Sequence, residues 1–144
     1  HAEVQTINHY YASPKETHVA PSDVLFLATH EPCTLCSSAI TWAGFDNFYY
    51  FFSHEDSRDS FNIGHDLKIL KEVFKHDPGG YARENSYWTG YGICDLIAQC
   101  DSSDRTGFEK RASALRDTYQ QLSDRYQQRK GQGRSDDPAF IPLG

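Results

Sequence analysis

No part of this 144-residue chain is apolar over the roughly 18–20 consecutive residues that a membrane-spanning helix needs. No charged-then-apolar segment opens it, so no secretory signal is read, and a cytoplasmic location is the expectation. Positive charge is also short. The net charge of −6 argues against a protein whose main task is gripping a nucleic-acid backbone, which takes clustered Lys and Arg. There is no internal repeat and no second C-x-x-C. Of the four cysteines, only Cys33 and Cys36 form such a pair, while Cys94 and Cys100 read as small packed hydrophobes. Without a secretory mark, that pair points to metal binding or redox chemistry rather than to a disulfide scaffold.

What is present suits one domain with a real core. Residues 1–12 read as a helix, with Val4, Ile7 and Tyr11 at spacings of three and four. A loop rich in Pro and small polar residues follows. "VLFLAT" (24–29) reads as a strand buried on both faces. "EPCTLCSSAITWAG" reads as a helix with Pro32 in its first turn and Gly44 as its stop. "NFYYFF" (47–52) is a second, central strand.

The polar "SHEDSRDSFNIGHD" predicts a surface loop, and Asp66 then caps a helix through Phe74. "YWTGYGICDLIAQC" stays ambiguous because Gly90 and Gly92 weaken either assignment. A long helix is predicted over about 107–129, with a narrow stripe of Phe108, Ala112, Leu115, Tyr119, Leu122 and Tyr126. Residues 131–144 read as a polar tail. Helices alternating with apolar strands predict an α/β layered domain.

Chemistry concentrates at two places. Cys33 and Cys36 at a helix start can turn both sulfurs to one point, and the helix N-terminus favours their thiolates. A structural zinc site would want a fourth protein ligand, and no second pair supplies it. A third ligand with an open fourth position is the catalytic pattern, and "HAE" at the head of the chain offers His1 as ligand and Glu3 as proton carrier. Rival readings are a structural or redox C-x-x-C, and a copper chelate through the amine and ring of His1. His54, His65 and His76 sit beside acids and read as solvated loop or cap residues, though one could line a pocket. Trp42 and Trp88 could stack on a flat base, Trp88 from a loop among glycines, while core packing is the commoner fate of such rings.

Together, "HAE" and "PCTLC" match the zinc-deaminase signature H-x-E…P-C-x-x-C. On these motifs residues 1–75 resemble the cytidine-deaminase-like superfamily. "HAEVQTI", "HEPCTLCSSAITWAGFDNFYYFF" and "HEDSRDSF" look closest to its guanine and transfer-RNA adenosine deaminases. The resemblance implies a three-layer α/β/α fold with a mixed sheet. It also implies a helix and two strands before the H-x-E helix, which this sequence lacks, so upstream sequence is expected to be missing from it. It further implies Zn²⁺ on His1, Cys33 and Cys36, with Glu3 shuttling protons. Candidate substrate contacts are Trp42, Trp88 and His54.

The expected reaction converts a ring amine to a carbonyl with loss of ammonia. A free aminopurine such as guanine is preferred, cytosine-type compounds come next, and a nucleic acid is a weaker prospect. A homodimer is the expected assembly. A zinc-binding module without catalysis, or a fragment needing its upstream part, is the reading from another class. The deaminase-like domain would span 1–130.

Overall fold

The computed structural model describes residues 1–77 and 79–131; residues 132–144 of the expected tail lie outside them. The first helix, α1 (Ala2–Ala12), carries Glu3 in its first turn and His9 in its last, both complementing the helix dipole. Ile7 is its buried anchor. After it, short 3₁₀ turns at Lys15–Thr17 and Pro21–Asp23 lead towards the sheet. Tyr10 pins this loop by stacking on His18 and donating its hydroxyl to the Val19 carbonyl.

Strand β1 (Leu27–His30), helix α2 (Thr34–Trp42) and strand β2 (Asn47–Phe52) follow in that order. Strand β3 (Thr89–Gly92) comes later in the chain and completes a parallel sheet with spatial order β1-β2-β3. In this register His30 lies opposite Phe52, and Phe48 opposite Gly90. All three described strands are parallel, so the mixed sheet of the resemblance is not what they form.

Side chains alternate across a strand, and this sorts the sheet into two unlike faces. Phe26, Ala28, Phe48 and Tyr50 point to the buried face. There Phe26, Phe48 and Tyr50 join Ile7 of α1, Ile40 of α2, Phe45 and Trp88 in one core cluster. The opposite face carries Leu25, Leu27, Tyr49 and Tyr91, with Tyr49 stacked on Tyr91.

Here one expectation is corrected. The first strand is not buried on both faces, since Leu25 and Leu27 are 62% and 65% exposed. The apolar run was continuous in sequence, but helices cover β1 on one side only.

Gly90 is required by the close packing of this core. A Cβ there would lie 2.6 Å from the Phe48 ring, which is fully buried. Gly90→Ala is therefore expected to destabilise the fold by about 1–3 kcal/mol in chemical unfolding, the usual cost of overpacking. An unchanged unfolding midpoint would show that the ring can step aside.

The stretch expected to be a loop after β2 holds a helix, α3 (His54–Asp59). Its start is a capping box: Ser53 Oγ accepts from the Asp56 N–H, and the Asp56 carboxylate accepts from the Ser53 N–H. Only His54 and Ser57 are buried along it, so its composition reads as polar throughout. Helix α4 (His65–Glu72) has Gly64 at its N-cap, which moves Asp66 from the cap into the first turn. It stops before Phe74, and Val73 and Phe74 are exposed.

The ambiguous stretch resolves into β3 followed by helix α5 (Ile93–Gln99). The last helix, α6 (Ser102–Gly131), starts ahead of its expected position and runs through Gly107. Its inward side keeps only part of the expected stripe: Ala112, Tyr119 and Tyr126 are half-buried, but Phe108, Leu115 and Leu122 are exposed. Arg116, Tyr119 and Gln127 contact the body. Arg116 pairs with Asp56 at 2.8 Å, and its guanidinium lies 5.4 and 5.5 Å from the Phe51 and Phe52 rings. Those rings belong to opposite faces of β2, so α6 crosses the C-terminal end of that strand. Long amphipathic side chains can cover apolar surface, which a hydrophobicity pattern does not register.

Candidate metal centre

Two helix starts converge at the C-terminal end of the sheet. His1 is the N-cap of α1 and Cys33 is the N-cap of α2. The His1 Nδ1 lies 3.4 Å from Cys33 Sγ and 3.3 Å from Cys36 Sγ. These three donor atoms all fall within 4.8 Å of one another, so the group could hold a metal ion.

The geometry can be tested against coordination chemistry. A tetrahedral ion with sulfur at about 2.3 Å and nitrogen at about 2.0 Å separates its N and S donors by about 3.5 Å. The observed spacings fit that requirement. Cys36 is buried, Cys33 half-buried and His1 exposed, which leaves one side of the cluster open.

Without a metal the two thiols share their protons unequally. Hydrogen bonding from Cys36 holds the Cys33 thiol down to about 7, against the opposing effect of burial. Cys36 is pushed up because its proton serves Cys33, and burial and the Glu3 charge add to this. The Cys36 thiol also lies within donating distance of Glu3 Oε2, at 3.4 Å. Glu3 thus stands at the cluster without being needed as a ligand.

The turn that carries Cys33 is clamped from behind. The buried Glu31 carboxylate accepts from Arg83 Nε at 2.8 Å, from Arg83 Nη2 at 2.9 Å and from the His54 N–H at 3.0 Å. Tyr81 donates its hydroxyl to the Pro32 carbonyl at 2.7 Å. Glu31 is buried but Arg83 is 42% exposed, so the pair says more about a defined geometry than about extra stability. Here it fixes the residues immediately before Cys33.

His54 is not solvated, contrary to the expectation from its acidic neighbours. It is 2% exposed, packs edge-on against Tyr81, and brings Nδ1 within 3.8 Å of Glu31 Oε2. Its Nε2 is buried and has no hydrogen-bond partner among the described residues. His65 is half-buried and His76 exposed. Trp42 ends α2 and is 91% exposed, so it is not among the groups gathered at the cluster. Trp88 lies in the loop directly before β3, and its side chain is buried in the core. It donates to Thr41 Oγ1 at 2.8 Å and borders a cavity of about 440 Å³ together with Thr34 and Tyr81.

Two residues that sequence reasoning did not assign to the site feel the charge of Glu3. Asp66 is half-buried, and burial pushes its carboxyl up while the charges of His54, His65, Glu3 and His30 act on it. His30, at the end of β1, feels Glu3 more strongly than any other charge. The one local hint for His30 was its place directly before Glu31-Pro32-Cys33. Asp66 carried no sequence signal that separates it from a helix cap.

No protein-family model, curated protein or solved structure matches the chain. Fold and site together define an α/β domain with a His/Cys/Cys group able to hold a metal ion. Among the described residues no helix is long and apolar enough to cross a membrane.

Proposed function

We propose that this chain is a zinc-dependent hydrolytic deaminase of the cytidine-deaminase-like type, acting on a nucleobase or nucleoside and preferring a free aminopurine such as guanine. The observation that carries the reading is Glu3 Oε2 at 3.4 Å from Cys36 Sγ, beside a compact His1/Cys33/Cys36 donor set. That is the placement the H-x-E…P-C-x-x-C signature calls for. Two thiolates and an imidazole suit zinc better than the harder divalent cations.

Zinc held by His1, Cys33 and Cys36 would supply a Lewis acid and an acidified water at the open side of the cluster. The rest falls to the chain's own groups. The Glu3 carboxylate, through Oε2, takes one proton from the attacking water and passes it to the ring nitrogen. It then takes the second proton from the hydroxyl now on the ring carbon and passes it to the departing amine, acting as base and then as acid. The C–N bond to the amine breaks, ammonia leaves, and a ring carbonyl remains. Cys36 and Glu3 come from different helices, and the Glu31–Arg83 clamp keeps the Cys33 turn from shifting between them.

The reading is tested by ammonia release from zinc-loaded protein given guanine, adenine, cytosine, their nucleosides and deoxycytidylate. Turnover of at least one compound is expected. Silence across the panel, with one zinc still bound per chain, would sink the reading.

A further inference from the structure

A cavity of about 300 Å³ lies where β2 and β3 end, between the start of α3 and the start of α5. Crevices outside the carboxyl ends of parallel strands are common ligand sites in open α/β sheets. The carboxylates that border it are Glu55, Asp56 and Asp95, with Arg83 and Arg116 beside them. None of His1, Glu3, Cys33 and Cys36 lines it.

Some of its polar groups are already spent. Asp56 accepts from both terminal nitrogens of Arg116 and from the Ser53 N–H. Arg83 gives Nε and Nη2 to Glu31. Glu55 is 54% exposed and reaches Arg83 Nη2 only at 3.7 Å. Among the described residues, the Asp95 carboxylate and the Tyr50 hydroxyl have no hydrogen-bond partner.

Tyr50 is 3% exposed and its ring belongs to the core cluster, so its hydroxyl end is what meets the cavity. Burial pushes that hydroxyl up to about 12, which keeps it an uncharged O–H at neutral pH. Phenylalanine would fill the same core space, so packing alone does not call for the oxygen. Gly92 leaves room in front of it. A Cβ there would lie 3.4 Å from Tyr50 Oη and 2.6 Å from Asp95 Oδ2, so both oxygens border the spot that a side chain would fill.

Charge selects the ligand. The three cavity carboxylates and Glu31, the partner of Arg83, set four negative charges against two arginines. The surplus of two negative charges disfavours an anion. Nor do the carboxylates close on one point as metal ligands do, since the group of donors near enough for that, among the described residues, is His1/Cys33/Cys36. Separated acceptors suit the three N–H donors of an ammonium group.

We infer that this cavity is a second binding site, for a small aliphatic diamine, with one ammonium group over Gly92 donating to Asp95 and Tyr50 and the other directed towards Glu55. The site is independent of the metal centre and of the deaminase reading.

The test is calorimetric titration of the whole chain at low salt with 1,4-diaminobutane, and with 1-aminobutane, 1,4-butanediol and Mg²⁺ for comparison. One diamine per chain is expected to bind. The monoamine should bind about tenfold more weakly and the diol not at all. Asp95→Asn should weaken the diamine by about tenfold or more, the loss of a hydrogen bond between charged groups, and Tyr50→Phe by about threefold. Both variants should melt at the wild-type temperature, since neither group has a partner within the described residues to lose. Glu16→Gln, an exposed acid on the Lys15–Thr17 turn, should leave the affinity unchanged.

Absence of saturable diamine binding would overturn the inference. So would an affinity that neither Asp95→Asn nor Tyr50→Phe alters, because the binding would then belong to the acidic surface at large. Displacement of the diamine by an equal concentration of Mg²⁺ would overturn it by making the cavity a divalent-cation site.

Discussion

Cys36→Ser is expected to take bound zinc from one per chain to less than about a tenth, with apparent affinity falling more than 100-fold. Loss of a second-sphere partner alone typically costs about 10–100-fold in metal affinity, and here a direct ligand is removed. A serine hydroxyl is a poor replacement because it does not ionise near neutral pH, whereas the cysteine pair at this helix start already carries one thiol held down to about 7. The effect should also appear as stability. A ligand that binds only the folded state at about 1,000 times its Kd adds about 4 kcal/mol. Zinc should therefore raise the melting temperature of the wild type and leave that of Cys36→Ser unmoved. Cys94→Ser is the control, since the Cys94 Sγ lies 3.5 Å from Arg116 Nη2 rather than in the cluster. Full zinc occupancy in Cys36→Ser, measured by elemental analysis after dialysis, would remove His1/Cys33/Cys36 as the metal site.

The second large effect belongs to Glu3. Glu3→Gln keeps the size and the hydrogen-bonding reach of the side chain but cannot carry a proton between water and amine. On the substrate that the panel identifies, kcat is expected to fall about 10²–10⁴-fold, the usual contribution of a positioned acid–base. Zinc content should not change, because the cluster draws its three donors from His1, Cys33 and Cys36. A variant that loses zinc and activity together would make Glu3 a prop for the cluster. A variant that keeps both would move the proton transfer elsewhere, and Asp66 would be the first place to look, since burial already pushes its carboxyl up.

The legible parts of the molecule are those governed by neighbours in sequence. The strand at 47–52 and the helices at each end of the proposed site were readable from the β-propensity of an aromatic run, a three-and-four spacing and cap chemistry, all of which act within a few residues. α3 was misread because its stabilising device is a capping box, and its buried face is only His54 and Ser57. The inward side of α6 was read only in part: Tyr119 of the expected stripe packs on Phe52, whereas Leu115 and Leu122 are exposed and Arg116, outside the stripe, pairs with Asp56. In both cases amphipathic or polar side chains do the packing, and a hydrophobic pattern does not see them.

The sequence by itself determined that a histidine and a glutamate would share the start of one helix and two cysteines the start of another. Helix starts follow local rules, so the chemistry carried at each one could be read in advance. Only the tertiary structure decided that these two starts would meet within hydrogen-bonding distance. The same packing buried His54 against Glu31, and it brought Asp66, His30 and Tyr119 to the same end of the sheet. Those meetings depend on the parallel register of β1, β2 and β3 and on the path of α6 across the end of β2. Both are set by shape and burial between segments far apart in the chain, where no rule of local spacing reaches.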